Sequence, residues 1–346
     1  MPKPTLQPGS VPRRRHALGT LARAAALGVV PGWCRAVQAA PDASAALRDD
    51  RAIEIAPGVH VLAGANAAPD AHNAGRVGNL GFVVGTTGVA LIDTGSSRAR
   101  AGELLAAVRR VTELPLKCVV ITHPAQEFLF GAGLFLDQGV PVRAHPQTPV
   151  LMRQRCQHCL DTLEQDLGRE RMAGTRLALP EALALPPPAI DLGGRRLLVT
   201  AGPAGTVPGN LTVLDESSGV LFTGALLSIA RIPGVQDTRP ADWQAALQVL
   251  EQATVRLAVP AYGPVAARQP APGQVDLDAA RQALAGYFGA LEAQARRLYA
   301  QAVPLDALER QALLPDYRNW NGYPATHVHN IFYRYLQLEA EDLASQ

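Results

Sequence analysis

The chain has 346 residues (36.6 kDa), is 48% hydrophobic and only 18% charged, so it is globular rather than disordered and can hold one large or two medium domains. A net charge of +2 is too small to draw nucleic acid or an anionic membrane surface by electrostatics alone. With 31 Gly and 28 Pro, many turns are expected.

Residues 1–40 read as an export signal rather than as part of the fold. Arg13-Arg14-Arg15 precedes a moderately apolar run, Ala24 to Val30, and a small-residue site follows at Val37-Gln38-Ala39. Paired arginines before a weakly apolar, Ala-rich core point to a twin-arginine signal, the type that exports folded proteins. An ordinary secretory signal and a basic disordered arm are the other readings. The apolar run is too short to remain as a membrane span, and no other stretch approaches that length. The mature protein is therefore expected to be periplasmic, without membrane insertion after cleavage. Cys34 would leave with the signal. Cys156-x-x-Cys159 could then close a small disulfide in an oxidising compartment, whereas Cys118 reads as an inert core thiol.

Residues 41–52 read as a linker. Ile53 to Leu62 reads as a strand pair turning at Pro57-Gly58, and residues 63–78 as a loop. Gly81 to Ile92 reads as strand, turn, strand, ending in Asp93-Thr94-Gly95-Ser96. Ser96 or Ser97 can cap a helix over 99–112, which carries Leu104, Leu105, Val108 and Val111 at helical spacing. The β-branched run Val119 to Ile121 reads as a buried strand with Thr122-His123 at its mouth, followed by a turn closing on Gly131. A short helix over 132–138, a strand near Val140 to His145 and a helix over 146–170 follow.

The second half repeats this order. Pro186-Pro187-Pro188 is a stiff spacer. Strands are expected at Leu197 to Thr200, Leu211 to Leu214 and Gly219 to Gly224, with a loop over 202–210. A helix over Trp243 to Ala253 and a strand over Val255 to Pro260 complete the domain. Two strand–strand–helix halves in one chain suit an α/β fold, a four-layer αββα sandwich with its site where strand ends of both halves meet. A helical extension is expected over 269–346, with a long helix from Val275 to Gln301 and a terminal one from Ile331 to Glu339.

The span 53–268 resembles the metallo-β-lactamase superfamily throughout. The landmarks are Pro57-Gly58-Val59, Asp93-Thr94-Gly95, Thr122-His123, Phe222-Thr223-Gly224 and Val259-Pro260-Ala261-Tyr262-Gly263-Pro264. The stretch after Thr122 is similar to that family's first metal motif, Thr-His-x-His-x-Asp-His-x-x-Gly. The resemblance puts the first metal ligand at His123. It puts the others at Ala125, Glu127, Phe128, Gly205, Ala225 and Tyr262, so one ligand is kept and one, Glu127, is conservatively changed. Zinc needs three or four donors, and without a bound ion no water is activated for hydrolysis. The resemblance thus implies a cleft lined by Asp93, Ala125, Phe128, Gly205 and Ala225. His123, Glu127 and Tyr262 are its catalytic candidates, no metal is expected, and His123 is the one ligand if zinc binds at all.

A narrower resemblance exists to the quinoprotein relay system metallohydrolases, carried by Cys156-x-x-Cys159, Met172-Ala-Gly-Thr175, His327-x-x-Asn330 and Leu338-Glu339. It implies a small-molecule ligand or a periplasmic quinoprotein dehydrogenase system as partner. Three functions follow. The preferred one is a non-catalytic binding or accessory protein. The alternatives are a hydrolase with a metal site rebuilt from His123, Glu127 and donors such as His72, His327 or His329, and a metal-free enzyme using His123, Glu127 and Tyr262. His327 and His329 would reach the cleft only from an extended loop, since i, i+2 side chains on a helix diverge.

Overall fold

The computed structural model describes residues 51–202 and 206–345. The export signal, most of the linker and Gly205 lie outside the described residues. Two sheets of seven strands form, in the orders β1-β2-β3-β4-β5-β6-β7 and β14-β13-β12-β11-β10-β9-β8. The first sheet runs antiparallel through β1 (Ile53–Ala56), β2 (Val59–Leu62), β3 (Leu80–Val84) and β4 (Val89–Ile92), then parallel through β5 (Leu116–Ile121), β6 (Val142–Ala144) and β7 (Glu181–Ala182). The second holds β8 (Ile190–Asp191), β9 (Arg196–Ala201), β10 (Leu211–Asp215), β11 (Val220–Phe222), β12 (Leu257–Val259), β13 (Ala266–Ala267) and β14 (Val275–Asp276). Helices α1 (Arg98–Val111), α2 (Gln126–Leu129), α3 (Ala132–Asp137) and α4 (Gln147–Leu167) accompany the first half; α5 (Pro240–Ala246), α6 (Leu277–Ala300), α7 (Leu308–Gln311) and α8 (Ala325–Ala344) accompany the second.

The period-2 alternation of the strands assigns each side chain a layer. Val83, Ile92, Cys118 and Val120 face Leu197, Val213, Phe222 and Val259 across the sheet–sheet interface. Their strand neighbours Phe82, Leu91, Val119 and Ile121 point the other way, onto Leu104, Val108 and Phe135 of the helices. On the second sheet Leu221 and Ala258 point outward onto Trp243, Leu284, Phe288 and Ile331. The result is the expected helix–sheet–sheet–helix sandwich, with C-terminal helices closing the outer face. Because β5 is covered on both faces from Cys118 onward, Cys118 to Ile121 reads as a continuous apolar run rather than an alternation. No described helix is long and apolar enough to cross a membrane.

Three elements depart from expectation. The helix expected over Trp243 to Ala253 starts at Pro240, a residue suited to a first helical turn, and tightens to a 3-10 turn over Leu247–Glu251. The helix expected from Val275 starts at Leu277, because Asp276 caps it by accepting the Ala279 N–H at 2.8 Å. The terminal helix begins at Ala325 rather than Ile331, so His327 and His329 sit on a helix. Its buried stripe is His327, Asn330, Ile331, Arg334, Tyr335 and Leu338, a helical spacing that starts at His327.

Candidate functional site

The ends of β4 and β5 are tied by one acidic side chain. Asp93 Oδ1 accepts the Thr122 backbone N–H at 2.7 Å, and its Oδ2 accepts the Thr122 hydroxyl at 2.8 Å. Asp93 sits in the left-handed region at φ 63°, which a short polar residue tolerates and which turns its carboxylate back onto β5. Thr122 Oγ1 lies 2.8 Å from His123 Nδ1. When Asp93 is ionised the hydroxyl gives it its one proton, so Nδ1 carries the N–H of the histidine and Nε2 keeps its lone pair. Burial holds the His123 pKa down to about 3, leaving a neutral imidazole, and pushes Asp93 up to about 7 despite the two bonds from Thr122.

The turn after His123 folds into α2, which brings Phe128 to the imidazole and Glu127 into the same cluster. Phe128, fully buried, packs its ring 4.5 Å from His123 and 5.4 Å, edge-on, from Tyr262. Gly78, at φ 70°, backs this ring so closely that a Cβ there would lie 2.4 Å from Phe128 Cζ. Tyr262 follows β12 and donates its hydroxyl to Glu127. Burial raises the pKa of Glu127, with the Arg231 guanidinium pulling back, and burial together with the Glu127 charge raises that of Tyr262.

Arg231 is the residue the sequence did not single out. Its guanidinium carbon stands 3.9 Å over the Tyr262 ring, and Nη2 is 4.0 Å from Glu127 Oε1. Nη1 donates to the Ala67 carbonyl at 3.1 Å and to Asn321 Oδ1 at 3.0 Å, fixing the side chain from two loops. Backbone bridges Ser228–Tyr262 and Arg231–Asn321 carry it there. No periodicity in Ile229-Ala230-Arg231 signals this.

The structure therefore gathers His123, Glu127, Phe128 and Tyr262, with Asp93 one hydroxyl behind. Ala125 starts the α2 turn and is half-buried. Ala225 lies in the turn after β11, and its N–H donates to Asn210 Oδ1 at 2.7 Å. Asn210 Nδ2 is buried with no hydrogen-bond partner among the described residues. His72 is exposed in the loop before β3. The reading of His327 as a donor for this site is corrected. Its Nε2 donates to the Ala312 carbonyl at 2.6 Å, its Nδ1 accepts from Tyr287 at 3.1 Å, and Asn330 joins the same network, so both ring nitrogens are used in holding α8 to α6 and the α7 end. His329 lines a separate cavity with Cys156 and Cys159.

Among the described residues no group of three or more His, Cys, Asp or Glu side chains is placed to hold a metal ion. The donors present do not fit zinc. One imidazole nitrogen and one carboxylate face the site, the carboxylate is already hydrogen-bonded to a phenol, and a guanidinium stands beside it, so an incoming cation meets a fixed positive charge. Two cavities flank the cluster, of about 410 Å³ beside His145, Thr206 and Asn210 and about 370 Å³ beside Pro124, Cys156 and His329; His123, Glu127 and Tyr262 line neither.

A family model described as the metallo-beta-lactamase superfamily matches residues 74–260. Solved structures share the fold. A metallo-beta-lactamase family protein from Thermus thermophilus aligns with TM-score 0.58 at 21% identity, over 84% of this chain and 96% of its own. A metallo-beta-lactamase from Pontibacter korlensis aligns with TM-score 0.53 at 20% identity, over 69% of this chain and 98% of its own. The TMB-1 structure aligns with TM-score 0.51 at 16% identity, over 69% and 98%. No curated protein matches the chain.

Proposed function

Because the chain belongs to the metallo-β-lactamase superfamily, we propose that it is a member in which an internal cation has replaced the metal centre, and that it works as a non-catalytic binding or accessory protein. The observation that carries this reading is Arg231. A guanidinium stacked on Tyr262 and paired with Glu127 supplies fixed positive charge to the carboxylate that remains at the strand ends. Phe128 and Tyr262 fill the adjoining space with apolar surface, where a hydrolase of this fold needs an activated water. The site is then a filled, charge-balanced plug at the strand ends, and ligand contact passes to the flanking cavities.

The expected setting is the periplasm, reached through the twin-arginine signal at Arg13-Arg14. The expected client is a periplasmic quinoprotein oxidation system, through the protein or a small molecule it handles. No resident cofactor is required for this role.

Metal analysis of full-length protein purified without chelators tests the first half. Substoichiometric zinc, unchanged in His123→Ala, is expected. One tightly held zinc per chain that disappears in His123→Ala would overturn the reading in favour of a rebuilt metallohydrolase. Ester or lactone hydrolysis lost in His123→Ala without metal would overturn it in favour of a metal-free enzyme. Fractionation of cells carrying Arg13→Lys/Arg14→Lys should leave the protein in the cytoplasm. Co-purification of a quinoprotein dehydrogenase with tagged wild-type protein is the expected partner result, and its failure would remove that half of the proposal.

A further inference from the structure

Helix α4 carries two thiols that the site above does not use. At i, i+3 on a helix, Cys156 and Cys159 lie on one face about 60° apart, with Cα atoms roughly 5 Å apart. That separation is inside the range that a disulfide spans without backbone movement. Both thiols are free, and the Cys159 S–H donates to the Arg155 carbonyl at 3.5 Å. Cys156 is 4% exposed and packs into the core beside Met152 and Leu163, whereas Cys159 is half-buried.

Both sulphurs line the cavity of about 370 Å³ whose opposite wall is α8, with His329 and Tyr333 exposed at its edge. Arg155 closes a third side and is held by Asp237 through bonds of 2.6 and 3.0 Å. The remaining described thiol, Cys118, provides the contrast. It is buried between the sheets, lines neither cavity and is pushed up to about 11 by burial.

We propose that Cys156 and Cys159 form a two-electron thiol–disulfide couple in this cavity, and that its substrates are low-molecular-weight disulfides. Cys159 is the attacking sulphur, being the more exposed. The neighbouring Cys156 thiol and His158 both lower its pKa. Its thiolate attacks one sulphur of R–S–S–R; the S–S bond breaks and one RS⁻ leaves, taking the Cys159 proton from solvent. Cys156 then loses its proton and attacks the Cys159 sulphur of the mixed disulfide. This expels the second RS⁻ and closes the Cys156–Cys159 bond. One S–S bond breaks and one forms, two electrons pass to the small disulfide, and two RSH are released. Cys156, raised by the neighbouring Cys159 and by burial, is suited to react only once its neighbour is engaged.

The test treats reduced, folded full-length protein with 5,5′-dithiobis(2-nitrobenzoate) and reads the tryptic peptide spanning 156–169, which holds both cysteines and no other. The expected wild-type peptide is about 2 Da lighter than its reduced form, with no aryl adduct, and two aryl thiolates are released from it. Cys156→Ala should stop at a stable adduct on Cys159, and Cys159→Ala should react at least about tenfold more slowly. A wild-type peptide that retains an adduct, or that stays reduced while the reagent is consumed at other cysteines, overturns the proposal. The wild-type mass alone decides this, whether or not the variants fold.

Discussion

Replacing Arg231 by Met in a double-mutant cycle with Glu127→Gln tests whether the guanidinium does the work of a bound cation. Met keeps apolar contact with the Tyr262 ring and removes only the charge and its donors. At the 4.0 Å separation of Nη2 and Glu127 Oε1, and an effective dielectric of about 20, the pair attracts by about 4 kcal/mol before desolvation is counted. Desolvation takes back part of this, and side chains 17% and 9% exposed are screened little, so a coupling energy of roughly 2 kcal/mol is expected. Arg231→Met alone also strips donors from the Ala67 carbonyl and Asn321 Oδ1 and loses the cation–π contact. Its total cost should be about 3 kcal/mol. The pH dependence has a definite sign. Glu127 is raised by burial, and more so once Arg231 is gone, so the native state keeps a proton that the unfolded chain releases. Stability from such a group falls as pH rises through its folded pKa, so the Arg231→Met deficit should be larger near pH 8 than near pH 5 and flat in the double variant. Urea unfolding across that range measures it. A coupling below about 0.5 kcal/mol, or a deficit independent of pH, would refute the role assigned to Arg231.

Three further outcomes follow from the same geometry. Asp93, raised to about 7, stabilises fully below its ordinary value of 3.8 and loses this as pH climbs to 7. His123, held near 3, stabilises above 6.5 and loses this as pH falls to 3. The two slopes offset between those limits. Asp93→Asn should therefore unmask the histidine, with stability dropping on the order of 3 kcal/mol more than wild type between pH 6.5 and 4; parallel urea-midpoint curves would contradict this. The same variant should move the ring proton of His123 from Nδ1 to Nε2, because an amide facing Thr122 turns that hydroxyl into a donor toward Nδ1; ¹⁵N chemical shifts report the change. Gly78→Ala should cost at least about 2 kcal/mol, since its Cβ would strike the Phe128 ring. Gly139→Ala, at nearly the same φ with open space around it, should cost only about 1 kcal/mol, and equal melting shifts would refute the packing argument.

The sandwich was legible in the order of its elements, two strand–strand–helix halves in one chain. Phe82 and Val83, or Leu91 and Ile92, belong to different cores, and sequence parity says so. The strand-end turns were legible through Asp93-Thr94-Gly95 and Thr122-His123. These gave the order in which His123, Glu127 and Tyr262 converge. Arg231 was not legible, because it comes from a loop positioned by two isolated backbone bridges, and such bridges leave no periodic mark. His327 was misjudged for a different reason. The terminal helix is expected only from Ile331, which leaves His327 room on an extended loop; it starts at Ala325 instead, its buried stripe begins at His327, and the imidazole pairs Tyr287 with the Ala312 carbonyl.

A sandwich of this kind can lose its metal ligands without losing its shape, and the hydrogen bonds at the strand ends explain how. Asp93 binds β4 to β5 through the backbone and hydroxyl of Thr122. The Thr122 carbonyl accepts the Leu211 N–H at 2.6 Å and so joins the first sheet to the second. Asn210 continues the link to the turn at Ala225, and Asn79 bonds the carbonyls of Pro260 and Gly263 around Tyr262. All of these contacts except the one from the Thr122 hydroxyl to Asp93 involve a backbone group, and none uses the side chain of His123, Glu127, Phe128 or Tyr262. Those four positions are therefore free to change identity as long as the volume stays filled and the charge balanced. Phe128 and Tyr262 meet the first condition, and Arg231 against Glu127 meets the second. On this account a substitution at Asp93 or Asn79 should disturb the scaffold more than one at His123. That order is the reverse of what a site whose shape depends on ligands around a metal would give.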